Sequence, residues 1–290
     1  MKEKLLVSFS GGETSAYMVW WVKKHWANKY DIKFVFANTG EENEETLLFT
    51  KKCQEYFNID LVWVEAVFHK EKGKGTTHKV VPFEAAERSN KLFMDMAAVY
   101  GIPNQMFPHC NRELKLAPIK SYLRSVGWKK YQTAIGIRND EIDRVNVNRE
   151  KYRLLYPLVT DQPMTKPKIN FWWSQQPFRL NLKGYQGNCK TCWKKGDNKL
   201  YQIAKENRRF FDSFKEVEKT YTNFVPEGRS ATDEKITFFR RGRSTEQILK
   251  EAENFNGVVR DDSAEINYQT SILDYDESES CDIYAMCGDN

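Results

Sequence analysis

The pair Gly11-Gly12 joins an apolar run to an amphipathic one near the start of the chain, and this junction limits the possible folds more than any other stretch. Leu5-Leu6-Val7-Ser8-Phe9 is short, apolar and ended by the glycines, which predicts a buried strand. Thr14 to Trp26 follows with apolar residues at Tyr17, Met18, Trp20, Trp21 and Val22, which predicts a helix. A strand that turns sharply into a helix presents backbone N–H groups and the positive end of the helix dipole at one point. Ser8, Ser10, Thr14 and Ser15 add hydroxyls there, and Gly11, Gly12 and Glu13 complete the loop. The segment 8–15 is therefore a candidate site for phosphate, pyrophosphate or sulfate. It is not a Walker A loop, because no Gly-Lys-Ser/Thr follows. The competing reading is an ordinary strand-to-helix turn capped by Thr14 or Ser15.

The pattern then repeats. Lys33 to Asn38 predicts a second strand, Glu42 to Phe57 a charged amphipathic helix, and Asp60 to Phe68 a third strand. Strands that alternate with helices imply a parallel sheet with crossover helices, and ligands of such sheets collect at the carboxyl ends of the strands. Loops 10–15 and 38–41, the latter with Asn38, Thr39 and Gly40, fall at that edge. Lys70 to Lys79 predicts a mobile basic loop, Glu84 to Tyr100 and Leu116 to Val126 helices, and Tyr131 to Ile137 a strand. That last strand runs into the polar loop Gly136-Ile137-Arg138-Asn139-Asp140-Glu141. Beyond about residue 160 the chain turns to Pro, Trp and basic residues, with helices expected at Asn198–Phe214 and Thr245–Asn254. The expected organisation is a nucleotide-binding domain over 1–160 and a C-terminal extension over 161–290.

With 40% hydrophobic and 14% aromatic residues in 290, the chain is expected to pack a core rather than stay disordered. Its longest apolar run, Tyr17 to Val22, is too short to span a membrane, and the N-terminus lacks a signal-peptide pattern. The expectation is a cytoplasmic protein with no membrane contact. In that compartment the six cysteines read as metal ligands or redox groups rather than disulfides. Residues 261–290 hold nine Asp or Glu and no Lys or Arg. The other 260 residues therefore carry 45 basic against 31 acidic side chains, a net +14. A basic body suits a polyanionic partner such as a nucleotide, tRNA or DNA, while the bland reading is a basic surface neutralised by the chain's own tail. Oligomeric state is left open.

Cys189-Lys190-Thr191-Cys192 places two thiols at chelating spacing in a Gly-flanked basic turn. A closed site needs two more ligands, for which Cys110, Cys281 and Cys287 are candidates and His109 a poorer one. A structural Zn²⁺ and a redox-active dithiol beside Lys190, Lys194 and Lys195 both fit the spacing. Cys53 lies within an amphipathic helix and reads as a small buried hydrophobe, and His25, His69 and His78 read as structural or surface residues. Phe238-Phe239-Arg240-Arg241-Gly242-Arg243 and Phe171-Trp172-Trp173 mix aromatic and basic residues in a way that suits a nucleic-acid strand. The favoured reading is that the aromatics are core and the arginines solvated.

Several blocks, in order, resemble one family. Ser8 to Ser15 resembles the Ser-x-Ser-Gly-Gly-x-Asp-Ser loop of the PP-loop superfamily, and within it of the phosphoadenosine phosphosulfate (PAPS) reductase family. Asn38-Thr39-Gly40 with Glu45-Thr46-Leu47, Cys110 to Lys115 with Pro118, Gly136 to Glu141 with Arg144, and Tyr156-Pro157-Leu158 resemble its later blocks. The resemblance covers residues 5–160. It implies an α/β fold with a parallel sheet and helices on both faces (PP-loop, adenine nucleotide alpha hydrolase-like), here followed by a Cys-containing C-terminal extension. It implies ATP, or PAPS or its 3′-dephosphorylated relative APS, with Mg²⁺. The loop and Gly136 would hold the phosphates, while the 38–40 turn would approach the nucleoside. Arg112, Lys115, Arg138 and Arg144 would clamp phosphate or a second substrate. Asp140, with Glu141, would bind Mg²⁺ or orient Arg138. It also implies a four-iron, four-sulfur cluster on Cys110, Cys189, Cys192 and Cys287, with Zn²⁺ as the alternative. Two departures stand out. Thr14 replaces the usual Asp, and the end Met286-Cys287-Gly288-Asp289-Asn290 lacks the Glu, Leu and His of the thioredoxin-dependent reductase tail. The implied activity is ATP-dependent adenylation with pyrophosphate release, coupled to sulfur transfer. A phosphosulfate reductase releasing sulfite and a non-catalytic binding module are the alternatives.

Overall fold

The apolar run after Lys4 becomes strand β1 (Glu3–Phe9), which lies inside a six-stranded sheet in a computed structural model describing residues 2–71, 73–226 and 235–266. The chain continues through α1 (Glu13–Trp26), β2 (Tyr30–Ala37), α2 (Glu44–Tyr56), β3 (Leu61–Phe68) and β4 (Thr76–Val80). Then come α3 (Lys91–Tyr100), α4 (Ala117–Ser125), β5 (Gln132–Ala134), α5 (Arg149–Tyr152) and β6 (Leu154–Leu155). The remainder is helical: α6 (Pro157–Thr160), α7 (Lys166–Ser174), α8 (Asp197–Glu206), α9 (Asp212–Tyr221) and α10 (Thr245–Glu253).

Strand order is β4-β3-β2-β1-β5-β6, parallel throughout except for the antiparallel β3–β4 pair. The chain builds outward from β1 on one side, then returns to place β5 on the other. The carboxyl ends of β1 and β5 thus flank a topological switch point, where open α/β sheets bind ligands. Register sets Leu5 beside Ile32 on one neighbour and Gln132 on the other. Because side chains alternate across the pleat, Leu5, Val7 and Phe9 join one core with α1, α2 and α7, while Leu6, Val35 and Val64 join the opposite core with α4. Both faces of β1 are buried, which is why it reads as continuous apolar sequence.

The extension takes part in these cores. Trp173 of α7 is 1% exposed and packs on Phe49 of α2, with ring centroids 5.0 Å apart. Its Nε1–H donates to the Glu13 carbonyl at 3.0 Å. A further core unites Phe93, Met96 and Leu114 with Leu200, Phe214, Phe238 and Ile248. Truncation by Trp173→Ala is expected to lower stability by about 3–5 kcal/mol, read by urea denaturation. A cost under about 1 kcal/mol, within the range of ordinary surface substitutions, would show that α7 merely rests on the sheet domain.

Three local expectations change. The stretch predicted as a mobile loop at 70–79 contains β4, whose β-branched Thr76-Thr77 pairs with Val67-Phe68 and whose Lys79 meets the fully buried Glu65 carboxylate at 2.8 Å. The helix expected from Glu84 begins only at Lys91, because Glu87 accepts from the backbone N–H groups of Arg88 and Ser89 and from the Ser89 hydroxyl. Those local bonds compete with helix formation. The helix expected over 198–214 is broken at Asn207, whose side chain accepts from Arg209 N at 3.2 Å and starts a new turn. Among the described residues no helix is long and apolar enough to cross a membrane.

Candidate functional site

The glycine pair makes the turn that the chemistry requires. Gly11 has φ +83°, and a Cβ there would stand 2.6 Å from Thr46 Cγ2. Gly12 then caps α1 in extended conformation. Ser15 fixes the loop from inside the helix: its hydroxyl accepts from Ser10 N at 3.3 Å and Ser10 Oγ at 2.9 Å, and donates to the Gly12 carbonyl at 2.9 Å. Ser8, Ser10, Gly12 and Thr14 remain partly accessible. Glu13 faces the extension, where Arg179 grips its carboxylate with Nε and Nη2 at 3.0 Å each and Leu180 N adds a third bond at 3.2 Å. Burial raises the Glu13 carboxyl above its ordinary value, against the pull of Arg179. Glu13 is thus a brace that holds the first turn of α1.

From the far side of the switch point, β5 delivers Gly136 against the Ser15 backbone and Arg138 onto the loop. Arg138 Nη1 donates to Thr14 Oγ1 at 3.2 Å, Nε donates to Asp140 Oδ1 at 2.9 Å, and Glu141 Oε2 lies 3.3 Å from Nη1. Asp140 Oδ2 accepts from Lys166 N at 2.9 Å, and Glu141 also pairs with Arg144. Both carboxylates are therefore taken up in orienting arginines. Their side chains remain 27% and 22% exposed. The departure at Thr14 has a local reading here, since it replaces a charge with a hydroxyl that accepts from Arg138.

The 38–40 turn is rigid. Asn38 is fully buried and donates to Glu65 Oε1 at 2.6 Å and to the Glu87 carbonyl at 2.8 Å, so its amide braces the turn. Thr39 donates from N and Oγ1 to the Glu42 carboxylate at 3.0 and 2.8 Å. Gly40 has φ +78°, and a side chain there would run into the Ser89 carbonyl.

The Cys-x-x-Cys turn docks on this same edge. Cys189 forms an isolated bridge with Glu42, and its Sγ lies 3.7 Å from Thr39 Oγ1. Cys110, Cys189 and Cys192, far apart in sequence, line one small cavity with Thr39, Asn111 and Lys115. Lys115 thereby joins the thiols, whereas Arg112 turns to Glu113 at 2.7 Å. The soft donor set suits zinc or an iron–sulfur cluster. The enclosed space, however, is about 20 Å³, roughly one water, and among the described residues no three His, Cys, Asp or Glu side chains converge as a metal site. Cys281, Cys287 and the acidic tail beyond 266 lie outside the described residues. Cys53 is buried in α2, and burial pushes its thiol far up, as expected of an inert hydrophobe.

The local sequence gave no sign of two groups at this edge. One is the Arg179 clamp, 166 residues from its carboxylate. The other is Glu41, fully buried, with its backbone carbonyl accepting from Lys190 N at 2.9 Å. Burial pushes the Glu41 carboxyl up to about 7, against Lys190 and the Ser213 hydroxyl, and Glu42 adds to the rise. The folded chain then keeps a proton that the unfolded chain has released between about pH 4.5 and 7. Stability from this group is expected to be full below that window and to fall by about 3 kcal/mol as pH climbs through it. Urea midpoints of Glu41→Gln should lose that decline; a parallel decline in the variant would assign it elsewhere.

A strand–Gly-Gly–helix loop facing an arginine across a β1/β5 switch point defines a PP-loop type of α/β nucleotide-binding protein. The profile of the phosphoadenosine phosphosulfate reductase domain matches residues 4–154, and the chain belongs to that family. It is similar to the uncharacterized nin region protein ORF290 of Escherichia phage lambda, 31% identical over 286 residues, which cover 96% of this chain and 94% of that protein. It is also similar to the uncharacterized protein MJ0973 of Methanocaldococcus jannaschii, 30% identical over 136 residues, which cover 46% of this chain and 26% of that protein.

Proposed function

We propose that the chain binds the phosphate end of ATP at Ser8–Ser15 and catalyses adenylation of an acceptor with release of pyrophosphate, coupled to sulfur transfer. The observation that carries this reading is Arg138, seated on Thr14 at 3.2 Å and fixed by Asp140, at the mouth of an anion-binding loop. A carbonyl oxygen of the acceptor attacks the α-phosphorus, and the bond from that phosphorus to the bridging oxygen breaks. Pyrophosphate departs with the electron pair, stabilised by the loop N–H groups and the Arg138 guanidinium. A sulfur nucleophile then attacks the activated carbon and AMP leaves. Thr39 of the 38–40 turn lines the cysteine cavity, which supports sulfur delivery next to the bound nucleotide in this reading.

Cys110, Cys189 and Cys192, with Cys287, are the residues that would hold a four-iron, four-sulfur cluster, which would supply sulfur-delivery or redox chemistry. Metal analysis of anaerobically purified protein tests this: about four iron per chain, lost in Cys189→Ser, would require the cavity of about 20 Å³ between these cysteines to open around a cluster. One tightly held zinc without colour would make the cysteine site structural. The reaction itself is tested by pyrophosphate release from ATP. Sulfite release from PAPS instead would assign a reductase, and tight binding of ATP without turnover a regulatory module.

A further inference from the structure

Beside the cysteine cavity lies a second and larger one, of about 360 Å³, lined by Gln105, Trp193, Lys194, Arg240 and Arg241. Trp193 is common to both. Three of the five lining residues are cationic and none is acidic. The volume is that of a site for a nucleotide-sized ligand rather than a lone ion.

The fold builds this wall deliberately from two distant segments. Trp193-Lys194 directly follows Cys192, and Arg240-Arg241 follows Phe238-Phe239, whose rings are each 1% exposed and anchor the turn in the core. Arg240 Nη2 donates to the Lys194 carbonyl and ties the segments together. The neighbouring Arg243 is a strut, paired with Asp197 at 2.5 Å and Glu251 at 2.7 Å. Arg241 differs: its side chain is 81% exposed and reaches Asp197 only at 3.9 Å, and its backbone sits at φ +62°, rarely adopted by a residue with a side chain. Trp193, 6% exposed, sets its buried ring in the wall shared by the two cavities.

We propose that this cavity is a binding site for the phosphodiester backbone of a single-stranded nucleic acid. Lys194 and Arg240 meet one phosphate within the cavity. Arg241 at the rim contacts the strand where it leaves. The net +14 on residues 1–260 supplies the long-range attraction. An unpaired strand fits because a concave site can admit a phosphate and its flexible neighbours, whereas a duplex backbone is stiff. That the strand is also the acceptor of sulfur rests on the function proposed above; the binding site does not.

The test is fluorescence anisotropy of full-length protein with a labelled single strand of about 15 nucleotides, across salt concentrations and without ATP. The Arg240→Ala/Arg241→Ala pair is expected to weaken binding by roughly tenfold or more and to lower the salt slope by about two. ATP binding by equilibrium dialysis should stay at the wild-type level in this variant, which also shows that it folds. Wild-type strand affinity in the double variant overturns the proposal. So does equal affinity for duplex, or competition by inorganic phosphate at matched phosphate concentration. Failure of ATP turnover with strand binding intact would count against the adenylation reading alone.

Discussion

Gly11→Ala is expected to abolish ATP binding, with at least a hundredfold loss of affinity. Two independent constraints act on this residue. At φ +83° an added Cβ strains the backbone, costing about 1–3 kcal/mol. The same Cβ also overlaps Thr46 Cγ2 at 2.6 Å, with Phe36 and Thr50 each at 3.2 Å. Thr46 and Thr50 belong to the buried face of α2, so they cannot swing aside. The loop must relieve the strain by moving Ser10 and the first turn of α1, which breaks the Ser15 bonds that aim its N–H groups. Binding is therefore lost out of proportion to stability. Circular dichroism and urea midpoints should show a folded chain, destabilised by a few kcal/mol at most. Wild-type affinity in this variant would mean that the nucleotide binds elsewhere.

Arg138→Ala is expected to lower kcat/KM for pyrophosphate release by about 10²–10³ while changing ATP affinity much less. The guanidinium is held before any ligand arrives, by Asp140 and Glu141 behind it and Thr14 in front. A preorganised cation acts where negative charge develops, so its removal falls mainly on the transition state. Arg138→Lys should recover little, because one ammonium cannot span three partners. Stability should change only slightly, since Glu141 retains Arg144 and Asp140 retains Lys166 N. An equal loss in binding and turnover would reduce Arg138 to a ground-state anchor.

What the sequence revealed and what it hid follow from chain distance. The apolar run 5–9, the glycine pair and the helix after it are local signals, and they placed both β1 and its loop correctly. Gly136 and Arg138 stood out because their block resembles the family's and falls at the ligand edge of the sheet. Ligand count left Cys110, Cys281 and Cys287 as equal candidates to join Cys189 and Cys192, and only the family resemblance favoured Cys110, which shares their cavity. The Glu13–Arg179 clamp was hidden, because an arginine in a basic, aromatic stretch carries no mark of its partner. Strand β4 was hidden as well, in a segment so rich in Lys and Gly that its two β-branched threonines were outvoted. The aromatic pair Phe238-Phe239 proved to be core, as favoured, while the arginines after it divide into one strut and two cavity-lining cations.

In the function proposed, loop 8–15 and Arg138 form the nucleotide site. Calorimetric titration of ATP into the wild-type chain and Gly11→Ala, with pyrophosphate as competitor, addresses it most directly. The expected result is saturable one-site binding to the wild type, displaced by pyrophosphate, and no measurable binding to the variant. Absence of binding in the wild type for both ATP and PAPS, or binding that survives in Gly11→Ala, would contradict it.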